Sequence, residues 1–373
     1  MAGTLTYLLL FLPALASGGV GLRTWILFAV LMLLPLLAAH LVSGLRLEGS
    51  TYRATSGIVA MGLVAALLSA AGQTLSLLGR VNPIVATITI AVTSTVIAVA
   101  AGTSGAARVG RWLSWTVVVL VAATVAAGAY LGRPADLTDP VVTAQALPPT
   151  ASVLLAMSMF VLGATDPSLR AYLHGASNRV VARTMGGLFT LLLLLGLGLL
   201  LVFGGVFVAP SLAFFLVPAN LGVTPILLVV AMAIAAFWFC FAVTSLLSGA
   251  AGEPTGESGN ANSRLAWAGG VGLLALGIAL LPISTEWVLF GTALVATAGI
   301  TAQVVTAGRV APGEHAGARW GMGCGLAVAL GSVAIMATTG VQDLGVVGLL
   351  AMLATGGASA LAAMLASGKR RTP

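Results

Sequence analysis

Long apolar runs separated by short polar, glycine-rich or proline-containing connections make up most of the chain. A membrane-spanning helix needs about 17–25 mostly apolar residues, and twelve runs are long enough. The pattern therefore predicts an all-α integral membrane protein, with about twelve transmembrane helices in one polytopic membrane domain, residues 1–373. The runs cover residues 4–20, 24–44, 57–79, 83–102, 112–131, 151–173, 184–209, 223–249, 265–283, 286–307, 320–340 and 343–366.

Composition agrees with this pattern and excludes several classes of function. The 373 residues are 59% hydrophobic and 7% charged, which is far outside the usual range of soluble domains. The net charge of +7 is carried by residues between the apolar runs, so we predict a lipid bilayer around the protein and no nucleic-acid partner. Cys240 and Cys324 lie inside runs and predict neither a disulfide nor a metal site. No spacing typical of a zinc site or a catalytic triad occurs, so no enzyme and no cofactor are predicted.

The basic residues predict the orientation, because Lys and Arg concentrate in cytoplasmic connections. With a cytoplasmic N-terminus, only Arg23, Arg80 and Arg133 fall outside, and both termini are cytoplasmic. The protein is then a multi-pass protein of the cell membrane. The basic residues on the cytoplasmic side are Arg46, Arg53, Arg108, Arg111, Arg179, Arg183, Arg264, Arg309, Arg319, Lys369, Arg370 and Arg371.

The sixth run contains a predicted helix break at Gly163-Ala164-Thr165-Asp166-Pro167. Proline removes a backbone donor, and a carboxylate at membrane depth costs a few kcal/mol. Such a break is tolerated where protein or a watery cavity surrounds it, as in the discontinuous helices of secondary transporters. Two compatible roles remain open for Asp166. One role is to cap the following half-helix, and the other is to bind a substrate ammonium group, a sodium ion or a proton.

Three stretches carry a resemblance to a known family. The first covers residues 17–44, SGGVGLRTWILFAVLMLLPLLAAHLVSG, and its matching residues are Ser17-Gly18-Gly19, Pro35 and Gly44, with His40 where the family has glutamate. The second is the broken sixth run, with Ser158 and Tyr172-Leu173. The third is AFWFCFAVTSLLS, residues 236–248, with Thr244 and Ser245. Together they resemble the neurotransmitter:sodium symporter family, which has the LeuT fold and belongs to the amino acid–polyamine–cation superfamily. Pro210–Gly222 resembles the outer lid of that family.

The resemblance implies a five-plus-five inverted repeat, with helices one and six broken. The repeats would be residues 4–131 and 151–307, followed by accessory helices at 320–366. It implies a secondary active transporter, a symporter that moves a small amino acid or amine across the membrane coupled to sodium. The implied residues are Ser158, Gly163, Ala164, Thr165, Asp166 and Gln73 for substrate, Phe241, Thr244 and Ser245 for sodium, and His40 for gating.

The chain also departs from the family pattern. Matching Pro13 to the family's proline puts the break in helix one at Met1–Leu5, so either the inner half-helix precedes Met1 or the chain is a shortened member. Helix seven has no asparagine, and the first sodium site of the family is expected to be missing. Two alternatives therefore stay open: a proton-coupled or exchange permease, and a transport-inactive paralogue that acts as a membrane scaffold or regulator. The small-residue-rich last helices offer a possible homodimer face.

Overall fold

The computed structural model describes residues 2–11, 20–43, 50–131, 148–173, 176–203, 225–255, 261–307, 316–340 and 344–368. Within these ranges every regular element is an α-helix, which confirms the all-α prediction. The helices are α1 (Ala2–Phe11), α2 (Leu22–Leu31), α3 (Leu34–Ser43), α4 (Ser50–Gly79), α5 (Pro83–Leu131), α6 (Pro149–Thr165), α7 (Pro167–Leu173), α8 (Asn178–Val202), α9 (Pro225–Thr255), α10 (Ala261–Ala279), α11 (Thr285–Ala307), α12 (Ala316–Thr339) and α13 (Gly345–Gly368).

Eight spans in the described residues are long and apolar enough to cross a membrane, which indicates a membrane-embedded protein. Three shorter apolar helical segments accompany them: Val117–Tyr130 within α5, Pro149–Thr165, which is α6, and Ala266–Ala279 within α10. The count of twelve spans and the inverted repeat remain predictions. The eight spans are Leu22–Ser43, Thr51–Gly79, Pro83–Ala100, Asn178–Val202, Val229–Ala250, Thr285–Ala307, Ala316–Thr339 and Gly345–Ser367.

Two sequence predictions about local structure are wrong. The connection expected between runs 83–102 and 112–131 is helical. It lies inside α5, which is 49 residues long in total. The segment contains glycines but no proline, and glycine weakens a helix without ending it. The helix-one break expected at Met1–Leu5 is also absent from residues 2–5, which open the continuous helix α1. The motif residues 17–19, Gly44 and the lid at 210–222 lie outside the described residues.

The first of two compact units contains Met1–Leu33, Val64–Leu147 and Ser177–Thr285. Its centre is α5, which packs against α8, α9 and α10, while α1 packs on α9 and α2 packs on α8. Trp25 of α2 is 1% exposed and donates from its indole Nε1 to the carbonyl of Leu192 at 2.8 Å. One turn further along α8, a Cβ atom on Gly196 would collide with the Trp25 ring. A glycine is therefore required where α2 meets α8.

The second unit contains Leu34–Leu63, Pro148–Ala176 and Glu286–Pro373. In it α3 packs on α6 and α7, and α13 packs on both α6 and α12. The α12 glycines 317, 321 and 325 face Ser367, Ala363 and Ser359 of α13. Small residues of this kind let membrane helices approach closely. This glycine face packs within the chain, and the homodimer face expected on the last helices stays a prediction.

We predict that Gly196→Ala destabilises the protein by about 1–3 kcal/mol, because the added methyl group overlaps the fully buried Trp25 ring. Gly186→Ala is the matched control in the same helix, since nothing lies within 4 Å of its Cβ position. Alanine there should be neutral or stabilising by up to about 1 kcal/mol through helix propensity. Reversible unfolding in detergent micelles measures both variants. Equal effects of the two substitutions would contradict the proposed packing of Trp25.

Candidate functional site

The predicted break in the sixth run is confirmed, and it is narrower than expected. Helix α6 continues to Thr165, α7 begins at Pro167, and only Asp166 between them leaves the helical conformation, with φ −69° and ψ 113°. The ring of a proline excludes the preceding residue from the helical region. Gly163, Ala164 and Thr165, which were predicted to be unwound, are helical because that restriction acts on one residue only.

Asp166 caps the helix that follows it. Its Oδ1 atom accepts hydrogen bonds from the Ser168 amide at 2.8 Å, the Ser168 hydroxyl at 2.7 Å and the Leu169 amide at 3.3 Å. Its main-chain carbonyl accepts from the Arg170 amide at 3.1 Å. Because Pro167 has no N–H, these bonds satisfy the first amide donors of α7. The side chain is 0% exposed, so the capping interaction lies entirely inside the protein.

The same bonds deprive the end of α6 of its helical donors. The carbonyl of Gly163 would pair with the amide of residue 167, which is a proline and has none. The carbonyls of Ala164 and Thr165 would pair with the amides of Ser168 and Leu169, which are bonded to Asp166 instead. Three successive carbonyls therefore lose their i+4 partners next to a buried carboxyl group. This arrangement can bind a cation or an ammonium group, because it offers acceptors and the negative end of the α6 dipole.

Near its end, α6 packs against the start of α3, in the second predicted span. Helix α2 ends at Leu31 and α3 begins at Leu34, because Pro35 cannot donate to the turn before it. A Cβ atom on Gly163 would collide with the main chain of Pro35. Pro35 and Gly163 thus bring α3 and α6 into backbone contact two residues before α6 ends. Sequence reasoning identified both residues but did not predict that they meet.

Two further contacts, one strong and one weak, involve the segments on either side of Asp166. The Arg170 guanidinium of α7 lies over the ring of the buried Tyr52 of α4, 4.3 Å from its centroid. This cation–π interaction ties α7 to α4. On α6, the Ser158 hydroxyl donates to the Met352 sulfur of α13 at 3.7 Å. Thioether sulfur is a weak acceptor, so the Ser158 hydroxyl can be released from it at small cost.

Thr165, another predicted substrate residue, uses its hydroxyl locally. It donates to the carbonyls of Val161 and Leu162 at 2.9 and 3.2 Å, as threonines in membrane helices commonly do. The structure thus collects Ser158 and the residues 163–166 in the second unit. The sequence analysis did not single out Ser168, although an Asp followed two residues later by Ser is the pattern of a local side-chain turn.

The remaining predicted residues are distributed over both units. Gln73 lies in the first unit on an exposed face of α4, and its carbonyl accepts from the Ser76 hydroxyl at 3.0 Å. Phe241, Thr244 and Ser245 also lie in the first unit, on the unbroken helix α9. His40 is half-buried at the end of α3, where its carbonyl accepts from the Ser43 hydroxyl at 2.7 Å. The gating role of His40 stays a prediction.

Thr244 belongs to a small polar cluster between α5 and α9. Its hydroxyl donates to the Cys240 carbonyl at 2.7 Å and is 3.4 Å from the Ser94 carbonyl. The Ser94 hydroxyl donates to the Cys240 carbonyl at 3.1 Å. The bond from Thr244 to the preceding turn is the ordinary structural role of a threonine in a membrane helix. A hydroxyl that donates keeps its lone pairs, so the same oxygen can also coordinate a cation.

Comparison of the chain with protein-family models gives no match, and comparison with curated proteins gives none either. The resemblance to the neurotransmitter:sodium symporter family therefore depends on the quoted stretches and the lid segment alone. The described residues contain no group of three or more His, Cys, Asp or Glu side chains that could hold a metal ion.

We predict that Asp166→Ala destabilises the protein by about 1–2 kcal/mol, because the amides of Ser168 and Leu169 lose their acceptor. Asp166→Asn should retain most of the stability, since asparagine caps helices about as well as aspartate. The free energies of unfolding of both variants, measured by reversible unfolding in micelles, are then compared. If asparagine destabilises the protein as much as alanine does, capping is not what the side chain contributes.

Proposed function

We propose that this protein is a secondary active transporter that moves a small amino acid or amine across the cell membrane, coupled to an inward cation gradient. The substrate would bind at the end of α6, next to Gly163, Ala164, Thr165 and Asp166, with Ser158 one to two turns earlier. The LeuT-like repeat, sodium as the coupling ion and cytoplasmic termini are parts of this proposal.

The observation that carries the proposal is the loss of helical donors by three carbonyls beside a fully buried carboxyl group. A membrane protein that needed only to fill space would keep an unbroken helix, because each polar group without a partner is costly in an apolar interior. Broken helices at which backbone acceptors face a binding site are a recurring device of secondary transporters. The acceptors and the acid favour a positively charged group, which the ammonium of an amino acid or amine supplies.

A proton-coupled or exchange permease is the second candidate, and Asp166 is the observation that favours it. Asp166 is a carboxyl group that is 0% exposed, and carboxyl groups inside a membrane recur in the proton relays of pumps and transporters. Sodium coupling and proton coupling then differ in which gradient drives uptake.

The proposal is tested with purified protein reconstituted in liposomes. A thermal-shift screen over amino acids and amines, with sodium and with potassium, identifies the ligand, and radiolabelled uptake of that ligand is then measured. We expect uptake to require an inward gradient of sodium. Uptake driven by a pH gradient alone would instead identify the protein as a proton-coupled permease. If no amino acid or amine shifts the melting temperature or accumulates, the proposal is wrong and a scaffold role gains support.

We predict that Asp166→Asn reduces uptake at least about tenfold while the protein stays folded. The substitution keeps the cap but removes the negative charge that balances the bound cationic group, and the loss of about 1.4 kcal/mol of binding is a tenfold change. Ser168→Ala is the matched control, because it removes one hydrogen bond from the same Oδ1 atom without changing charge. Undiminished uptake by Asp166→Asn would restrict Asp166 to its capping role.

For the cation, we predict that Thr244→Val raises the sodium concentration for half-maximal uptake about tenfold, because one oxygen ligand is lost. Phe241 and Ser245 would supply neighbouring ligands on α9. Thr190→Val is the control, since its exposed hydroxyl donates only within α8, to the Gly186 carbonyl at 3.0 Å. An unchanged sodium dependence in Thr244→Val would remove this helix from the cation site.

A further inference from the structure

Helix α11 and the first half of α4 lie against each other in the second unit, in an antiparallel arrangement. A Cβ atom on Gly62 would collide with the Thr292 side chain, and a Cβ atom on Gly299 would collide with the Thr55 side chain. From Gly62 to Thr55 the chain runs seven residues backwards, and from Thr292 to Gly299 it runs seven residues forwards. Each contact thus pairs a glycine on one helix with a threonine on the other. The two contacts are two helical turns apart.

One turn beyond the second contact, this register places Thr51 of α4 opposite Gln303 of α11. Thr51 is four residues before Thr55, and Gln303 is four residues after Gly299. Residues four apart lie on the same face of a helix, so Thr51 and Gln303 both lie on the faces along which α4 and α11 pack. The two side chains are 8% and 6% exposed. No glycine occurs at this level, so the two helices face each other here through a hydroxyl and a long amide side chain.

Within the described part of the chain, the hydroxyl of Thr51 and both polar atoms of Gln303 are buried without a hydrogen-bond partner. Neighbouring threonines on the same helices are satisfied. The Thr55 hydroxyl donates to the Thr51 carbonyl at 2.9 Å, and the Thr306 hydroxyl donates to the Ala302 carbonyl at 3.0 Å. Buried polar groups in folded proteins are nearly always paired with protein or with ordered water. The concentration of three unpaired atoms at one level of a helix contact therefore indicates a bound polar molecule.

The donor set decides the class of ligand. Gln303 presents one acceptor and an amide donor, and Thr51 presents a hydroxyl that can do both. A metal cation needs about six oxygen ligands, and only two side-chain oxygens are available here. An apolar ligand would leave all three atoms unpaired. Water donates and accepts, and buried waters typically make about three hydrogen bonds to groups of this kind.

We propose that Thr51 and Gln303 bind one or two internal water molecules, which join α4 to α11 by hydrogen bonds where the glycine contacts end. This inference does not depend on the transport proposal, because Thr51 and Gln303 take no part in the Asp166 cap or in the proposed substrate and cation sites. The bridging water couples the stability contributions of the two side chains. Removing either side chain leaves the other one and the water incompletely hydrogen-bonded.

A double-mutant cycle tests the proposal through reversible unfolding of the full chain in micelles. We expect Thr51→Val and Gln303→Leu each to raise the unfolding equilibrium constant about tenfold, because each leaves a buried partner unsatisfied. The double variant should unfold no more readily than either single variant, since the whole polar set is replaced by apolar groups. Thr306→Val is the control on the same helix. It should not couple to Thr51→Val, because its hydroxyl is bonded to its own turn.

The alternative is a dry contact with unpaired atoms, and it predicts the opposite sign. Removing an unpaired buried polar group should then lower the unfolding constant in both single variants, with additive effects in the double variant, and either result would overturn the proposal. If the variants do not fold, a density map of the unmodified protein, at a resolution that shows waters, distinguishes the bridging water from the dry contact. A peak within hydrogen-bond distance of Thr51 Oγ1 or a Gln303 amide atom supports the water, and continuous side-chain packing without one contradicts it.

Discussion

A helix that stops inside an apolar protein has to find partners for its main-chain groups, and this constraint organises the centre of the second unit. Asp166 alone supplies these partners for the start of α7, because its Oδ1 atom and its carbonyl together accept from Ser168, Leu169 and Arg170. The donors of α7 are thereby satisfied in full, whereas the last carbonyls of α6 are not given replacements by the same helix. The asymmetry makes the break a site of acceptors with negative potential, and this polarity is what connects the fold to the function we propose.

Close packing holds the break in place. Gly163 meets the main chain of Pro35, so α6 and α3 are in backbone contact just before α6 ends. Neither residue has a simple substitute, because a side chain at 163 would push the helices apart and a residue other than proline at 35 would restore the helical donor. The stacking of Arg170 on Tyr52 fixes α7 from the other side. The segment is therefore held from both ends, as a binding site made of backbone carbonyls requires if its geometry is to be kept.

The parts of this structure that depend on local chemistry could be predicted from the sequence. Hydropathy located the apolar helices, and the Asp-Pro pair located the break and its cap, because a proline and the residue before it are constrained whatever surrounds them. The extent of unwinding was overestimated, since Gly-Ala-Thr has no feature that prevents a helix. The continuity of α5 was missed because glycines and arginines were interpreted as a connection. The contact of Pro35 with Gly163 and the alignment of Thr51 with Gln303 depend on the register between distant helices, which a single sequence does not contain.

The cap and the proposed binding role of Asp166 compete for the same oxygen, and this competition suggests how binding could move a helix. A carboxylate that turns towards a cation accepts less well from the amides of Ser168 and Leu169, because hydrogen bonds weaken as their distance and angle depart from the best values. The first turn of α7 is then less well satisfied, and its orientation relative to α6 is less firmly fixed. Any ligand at Asp166 is thus coupled through one residue to the geometry of the break. Coupling of this kind needs no long pathway, since the two functions differ only in which groups the carboxylate faces.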